Sequence, residues 1–171
     1  MLSFFKDLTL YLSENLASLQ LRLSIIGITL QETPYAQMIE SMPDSGHFAV
    51  LQGEQTLCAL YTDATLISGL TERILGNKLE SPPTESYLLS FSEDFCFKEW
   101  CRWVIAFFEQ RKVALSLQRT EKWSRDLHLC FHDETVTCVT ISLKLQTTPV
   151  HLYIIVPQKD LQNEMELETR A

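Results

Sequence analysis

Four side chains in the last third of the chain have the chemistry to hold a metal ion. His128-x-Cys130-x-His132 sets imidazole, thiol and imidazole at alternate positions, and Cys138 follows. On a strand, alternate residues share a face, so these three would stand together, opposite Leu127, Leu129 and Phe131. Imidazole and thiolate suit zinc, with Cys138 on a neighbouring strand as the fourth ligand and further groups to orient them. The same pattern describes a half-exposed strand face carrying two solvated histidines. Structural zinc sites usually show paired close spacings, which this segment lacks. The expectation is no metal and no cofactor, with His128, Cys130 and His132 as the candidate ligands should one bind.

Covalent and phosphate chemistry find no comparable cluster. GxSxG, the P-loop, GxGxxG and HExxH are all absent, and the five glycines are scattered. The five cysteines, at 58, 96, 101, 130 and 138, are odd in number and form no CxxC pair, which reads as free thiols in a reducing cytoplasm. Glu93, Asp94, Glu99 and Glu109 punctuate one apolar stripe, and Glu164, Glu166 and Glu168 fall near the end of the chain. Acid–base work needs burial to separate the pKa values of such groups, so they read as solvated faces. Trp103 and Phe107 read as lying off the main stripe of their helix. They would pack under a loop, or stand exposed as an aromatic patch of the kind that anchors protein interfaces.

Composition narrows the class further. The chain has 171 residues, 46% of them hydrophobic, and a net charge of −8. That length buries enough surface to fold without a staple, and the composition is that of a packed globule. No basic run interrupts the acidic background, so nucleic acid is not an expected partner. No apolar stretch reaches the roughly 18 residues of a membrane span. The opening residues, Met1 to Asp7, lack the basic start of a signal peptide.

The elements that must position these groups follow from periodicity. Phe5, Leu8, Leu12, Leu16 and Leu19 recur at helical steps over residues 4–20, and Leu21 to Leu30 alternates as a strand ended by Pro34. Residues 35–42 predict a short helix carrying Met38 and Ile39 inward. His47 to Leu51 and Thr56 to Tyr61 predict a hairpin. Thr62 or Asp63 caps a helix over 64–75, which Gly76-Asn77 would end. Ser81-Pro82-Pro83-Thr84 reads as a linker, over about residues 79–87.

Ser92 is the expected cap of the next helix. There Phe97, Trp100, Cys101, Val104, Ile105 and Phe108 make the clearest stripe in the chain. Val113 to Leu117, Leu127 to Phe131, Thr135 to Leu145 and Val150 to Val156 predict strands, and residues 157–165 a last short helix. Both halves run from a long helix through a strand, an irregular segment and a hairpin to a helix. Leu57 to Leu66 sits against Leu152 to Leu161 in this alignment. The expected fold is α+β: a single domain of two pseudo-repeats, about 1–78 and 88–168, with one continuous sheet flanked by helices.

Leu12-Ser13-Glu14-Asn15-Leu16, then Tyr35 through Met38 to Pro43, and above all the run from Leu57 to Gly76 carry a family resemblance. They resemble the middle domain of the bacterial flagellar motor switch protein family (FliM), whose fold CheC-type phosphatases share. Ser92-Glu93, the tryptophan-bearing helix and Tyr153 to Pro157 extend the likeness over nearly the whole chain. The resemblance implies a pseudo-twofold α/β/α domain and a non-enzymatic scaffold in the cytoplasmic ring beneath the flagellar basal body. It also implies a FliG-like neighbour as partner, side-by-side self-association, and a CheY-like response regulator as a further partner.

The family's contact loop is glycine-rich and is reduced here to Gly76-Asn77-Lys78, the residues expected to meet the neighbour. The regulator-docking peptide that precedes the family's domain and the β-rich domain that follows it have no counterpart in the sequence. The phosphatase relatives use Glu-x-x-Asn on each long helix to orient a water and an acyl phosphate. Here Glu14 precedes Asn15 directly, Glu93 is followed one turn on by Cys96, and Glu99 by Arg102. The ring of a related type III secretion apparatus, or a degenerate phosphatase, are the alternatives the resemblance leaves open.

Overall fold

The structure is a computed structural model and describes residues 1–54, 57–75 and 86–158. Its elements run α1 (Leu2–Ala17), β1 (Leu23–Pro34), α2 (Tyr35–Ser41), β2 (Ser45–Gln52), β3 (Leu57–Thr62), α3 (Ala64–Ile74), α4 (Ser86–Glu109), β4 (Ser116–Trp123), a 3-10 turn (Ser124–Asp126), β5 (Thr135–Leu145) and β6 (Thr148–Pro157). The six strands form one antiparallel sheet in the order β1-β5-β6-β3-β2-β4. Exchanging β1, β2 and β3 for β4, β5 and β6 turns that order into its own reverse.

The first strand of each half thus pairs inside the other half, β1 with β5 and β4 with β2, while β3 and β6 meet at the centre. Tyr61 and Tyr153 stand directly opposite one another there, with ring centroids 5.3 Å apart. The two long helices also end alike. Leu21 donates to the carbonyl of Leu16 across Gln20 at φ 60°, and Val113 to that of Phe108 across Lys112 at φ 64°. Such bonds satisfy carbonyls left open at a helix end, and the positive φ turns the chain out of the helix. Matching Gln20 to Lys112 carries Phe5, Leu8 and Leu12 onto Phe97, Trp100 and Val104, all buried, and Tyr61 onto Tyr153. That register differs by three residues from the strand-exit alignment read from sequence, because β6 is longer than β3.

The sheet carries a separate core on each face. α1, α3 and α4 cover one face over Leu51, Leu60, Ile141, Leu143 and Leu152. α2 and the segment holding Leu127 and Leu129 cover the other, over Phe48, Val50, Tyr61, Cys138 and Ile155. Trp100 is fully buried, and its indole N–H donates to the Thr62 hydroxyl at 2.9 Å, so the largest side chain of the core leaves no donor unpaired. Each fully buried Leu or Ile contributes about 1.5–3 kcal/mol relative to exposure.

Several expectations are corrected. Leu127 to Phe131 is not a strand. Leu127 and Leu129 are buried, but Phe131 is 77% exposed, and carbonyls at both ends of the segment from Leu127 to Glu134 turn to α2. Ala36 N–H donates to His132 O at 3.0 Å, Tyr35 N–H to Glu134 O at 2.8 Å, and the Tyr35 hydroxyl to Leu127 O. A stretch whose carbonyls are used this way does not join a sheet ladder.

The strand expected at 113–117 lies instead at Ser116–Trp123. Residues 113–115 bring the chain down from α4, and pairing with β2 makes a strand of the polar run that follows. Ser92 caps nothing: α4 begins at Ser86, so residues 86 and 87, read as linker, belong to the helix. β1 runs on to Pro34, its last paired residue. The stop at Gly76-Asn77, residues 79–85 and the last helix beyond Gln158 lie outside the described residues.

Candidate functional site

The candidate ligands do not assemble. His128 and His132 are exposed, Cys130 is half-buried, and the strand that would have set them on one face is absent. Cys138 lies on β5, 3% exposed, with its sulfur 3.9 Å from the Thr140 hydroxyl. Among the described residues no group of three His, Cys, Asp or Glu stands close enough to hold an ion.

Three of the thiols, those of Cys96, Cys101 and Cys138, are not poised as nucleophiles. Burial pushes Cys101 up to about 12 and raises Cys96 and Cys138 as well, although hydrogen bonds with Thr71 and Thr140 act in the opposite direction on the latter two. A thiol with a raised pKa carries little thiolate at neutral pH.

The positions that could have done phosphatase chemistry are occupied structurally. Glu93 accepts from the Ser68 hydroxyl at 3.1 Å, tying α4 to α3, and one turn on Cys96 is 1% exposed. Glu99 pairs with Arg102 at 2.8 Å along the helix surface. On α1, the Asn15 amide donates to the Tyr11 carbonyl at 2.9 Å, its own helix. No carboxylate and amide stand one turn apart on either long helix.

The aromatic candidates divide. Phe107 is 1% exposed and belongs to the buried stripe of α4, so it forms no outward patch. α1 covers it, with Phe4 at 5.2 Å and Tyr11 at 5.6 Å between ring centroids, and the Arg111 guanidinium lies 3.6 Å over its ring. Trp103 is half-buried, edge-on to Trp100 at 6.1 Å. Gly76, Asn77 and Lys78 lie outside the described residues.

What sequence reading missed is the opposite face of α4. Phe91 is 65% exposed and Phe95 53%, and Lys98 and Arg102 continue the same line at steps of three and four. These positions share one helix surface. Ile74 and Leu75, at the other end of the unassigned connection from α3, are 39% and 47% exposed. Two phenylalanines one turn apart, facing water beside a cationic pair, have the composition of an interface anchor rather than of a core. The signal was legible as Phe91-x-x-x-Phe95, but a helix read from Ser92 leaves Phe91 outside it.

The arrangement as a whole is an antiparallel α+β domain with a mirrored strand order, two sealed cores and an outward aromatic pair, the fold class of flagellar switch middle domains and CheC-like proteins. No family model and no curated protein matches the sequence. Solved structures do. The FliM middle domain from Vibrio alginolyticus superposes with a TM-score of 0.76 at 12% identity, over 96% of each chain. A chain of the FliG–FliM complex from H. pylori gives 0.71 at 13% identity, over 91% of this chain and 90% of that one. A CheC-like superfamily protein from a Shewanella species gives 0.57 at 14% identity, over 91% and 98%. This chain has the fold of FliM middle domains.

Proposed function

We propose that this chain is a non-enzymatic interaction subunit of a flagellar motor switch, acting in the cytoplasmic ring at the base of the flagellum and binding a FliG-like neighbour. The observation that carries the reading is the superposition on FliM middle domains over nearly the full length of both chains, including one crystallised with FliG. The buried Cys96 where a catalytic amide would be needed argues against a phosphatase role. The contact surface in this reading is the outer face of α4 around Phe91 and Phe95, together with Gly76-Asn77-Lys78. Two halves of about residues 1–78 and 88–168 form the scaffold that holds it.

Pull-down of the tagged chain from its own host, with mass spectrometry of the partners, tests this. Flagellar ring components are expected, and a Phe91→Ser/Phe95→Ser variant should lose them while its thermal midpoint stays at the wild-type value, since both side chains face water. Recovery of secretion-ring proteins would transfer the same scaffold role to a type III secretion apparatus. Recovery of only a response regulator, or of no ring component, would overturn the proposal.

A further inference from the structure

His47 lies on β2 where α4 comes down onto the sheet, buried, with its ring 5.1 Å from that of Phe97. Glu93 and Asp94 precede Phe97 by four and three residues, so they stand on the same side of the helix as that ring. Each is tied to another element. Glu93 accepts from the Ser68 hydroxyl of α3 at 3.1 Å, and Asp94 pairs with Lys122 of β4 at 3.3 Å. The charged groups acting on the imidazole are thus Glu93 and Asp94 from α4 and Lys122 from β4. The neighbours that α3 and β3 bring to this junction, Ser68 and Thr62, are neutral.

The two halves of α4 are held unequally. From Trp100 onward the helix is anchored by the indole bond to Thr62, by the buried Val104 and by α1 over Phe107. Before Trp100 it turns Phe91 and Phe95 to water and is held by Cys96, Phe97 and the ties to Ser68 and Lys122.

We propose that His47 is a proton-operated latch on α4. With its ring neutral it keeps the turns before Trp100 seated on the sheet, and taking up a proton releases them while the rest of the molecule stays folded. A neutral imidazole tolerates burial against an aromatic ring, whereas an imidazolium needs water or a carboxylate. Neither carboxylate can turn to it without leaving Ser68 or Lys122. Lifting these turns hydrates the ring and frees Glu93 and Asp94 to pair with it, at the cost of the Phe97 and Cys96 burial and of both ties. Burial holds the pKa of the seated ring below its ordinary 6.5, with Lys122 acting the same way and the two carboxylates against it. The released state therefore binds the proton more tightly and gains as pH falls through that value. Segments of one fold open at different free energies, so the anchored half of α4 need not follow. The inference does not depend on the ring role, although Phe91 and Phe95 ride on the same turns.

Amide hydrogen exchange of the full chain, from about pH 7.5 to about pH 5.5 and corrected for the intrinsic rate, reads the latch directly. Amides from Phe95 to Glu99 should lose about three- to tenfold in protection per pH unit below the ordinary histidine pKa, and those from Leu8 to Leu16 in α1 should lose none. His47→Phe and His47→Gln, neither of which takes a proton, should each hold protection in α4 level across the range. Protection in α4 that ignores pH in the wild type, a loss shared equally by α1, or the same loss persisting in either folded variant would overturn the proposal.

Discussion

His47 shows how much one residue's surroundings decide. It lies on β2, 9% exposed, with its ring 5.1 Å from that of Phe97 on α4. Burial pushes its pKa below the ordinary 6.5 and outweighs the upward pull of Glu93 and Asp94, while Lys122 acts with burial. The folded value is therefore the lower one, and in the window between the two values the unfolded chain binds more protons. Stability attributable to this group is level above the unfolded pKa, falls as pH drops through it and levels off again below the folded pKa. The urea midpoint should fall as pH drops through about 6.5, and His47→Phe, which keeps a ring against Phe97, should flatten that part of the profile. An unchanged slope in the variant would assign the pH dependence to other groups.

At the scale of the element, α3 shows local rules sufficing. Leu66, Ile67 and Leu70 make its buried stripe, and the Asp63 carboxylate accepts from the Thr65 amide at 2.9 Å. That bond satisfies one of the amides a helix start leaves open. Asp63→Ala should cost about 1 kcal/mol by chemical denaturation, and Asp63→Asn should restore most of it. α4 departs from local rules in one respect. Its stripe runs Phe97, Trp100, Cys101, Val104 and Phe107, whereas Ile105 and Phe108, read as part of it, are only half-buried. Periodicity located the stripe to within one residue, and the arrival of α1 against Phe107 decided which residues complete it.

Over the whole molecule, the strand order interlocks the halves. β1 has its ladder partner in β5 and β4 has its partner in β2, so either half alone would expose a hairpin and a detached strand. Isolated hairpins are marginal in water. Residues 1–75 expressed alone should therefore be unfolded by circular dichroism, and co-expression with residues 86–171 should recover a folded complex that co-elutes. A cooperative unfolding transition in the first fragment by itself would show that the halves are independent.

The sequence by itself determined those parts whose signal lies within a few residues. α1, the hairpin of β2 and β3, the capped α3 and the full span of Thr135–Leu145 are all legible from apolar period and turn chemistry. The common succession of helix, strand and hairpin was an expectation from period alone, and the mirrored places of the two halves in the sheet came from strand pairing. Tertiary structure decided the rest, because a backbone amide or carbonyl is satisfied by whichever group meets it in space. Leu127 to Phe131 alternates like a strand, but Tyr35 and Ala36, some ninety positions away in the sequence, take the carbonyls of Leu127 and of His132 and Glu134 just beyond it, and His128 and His132 are exposed. The polar run of β4 is a strand because β2 offers it an edge. Phe91 and Phe95 face outward because the opposite side of α4 already fills the core with Trp100, Val104 and Phe107. A period says which residues share a face, and only the assembled molecule says what that face meets.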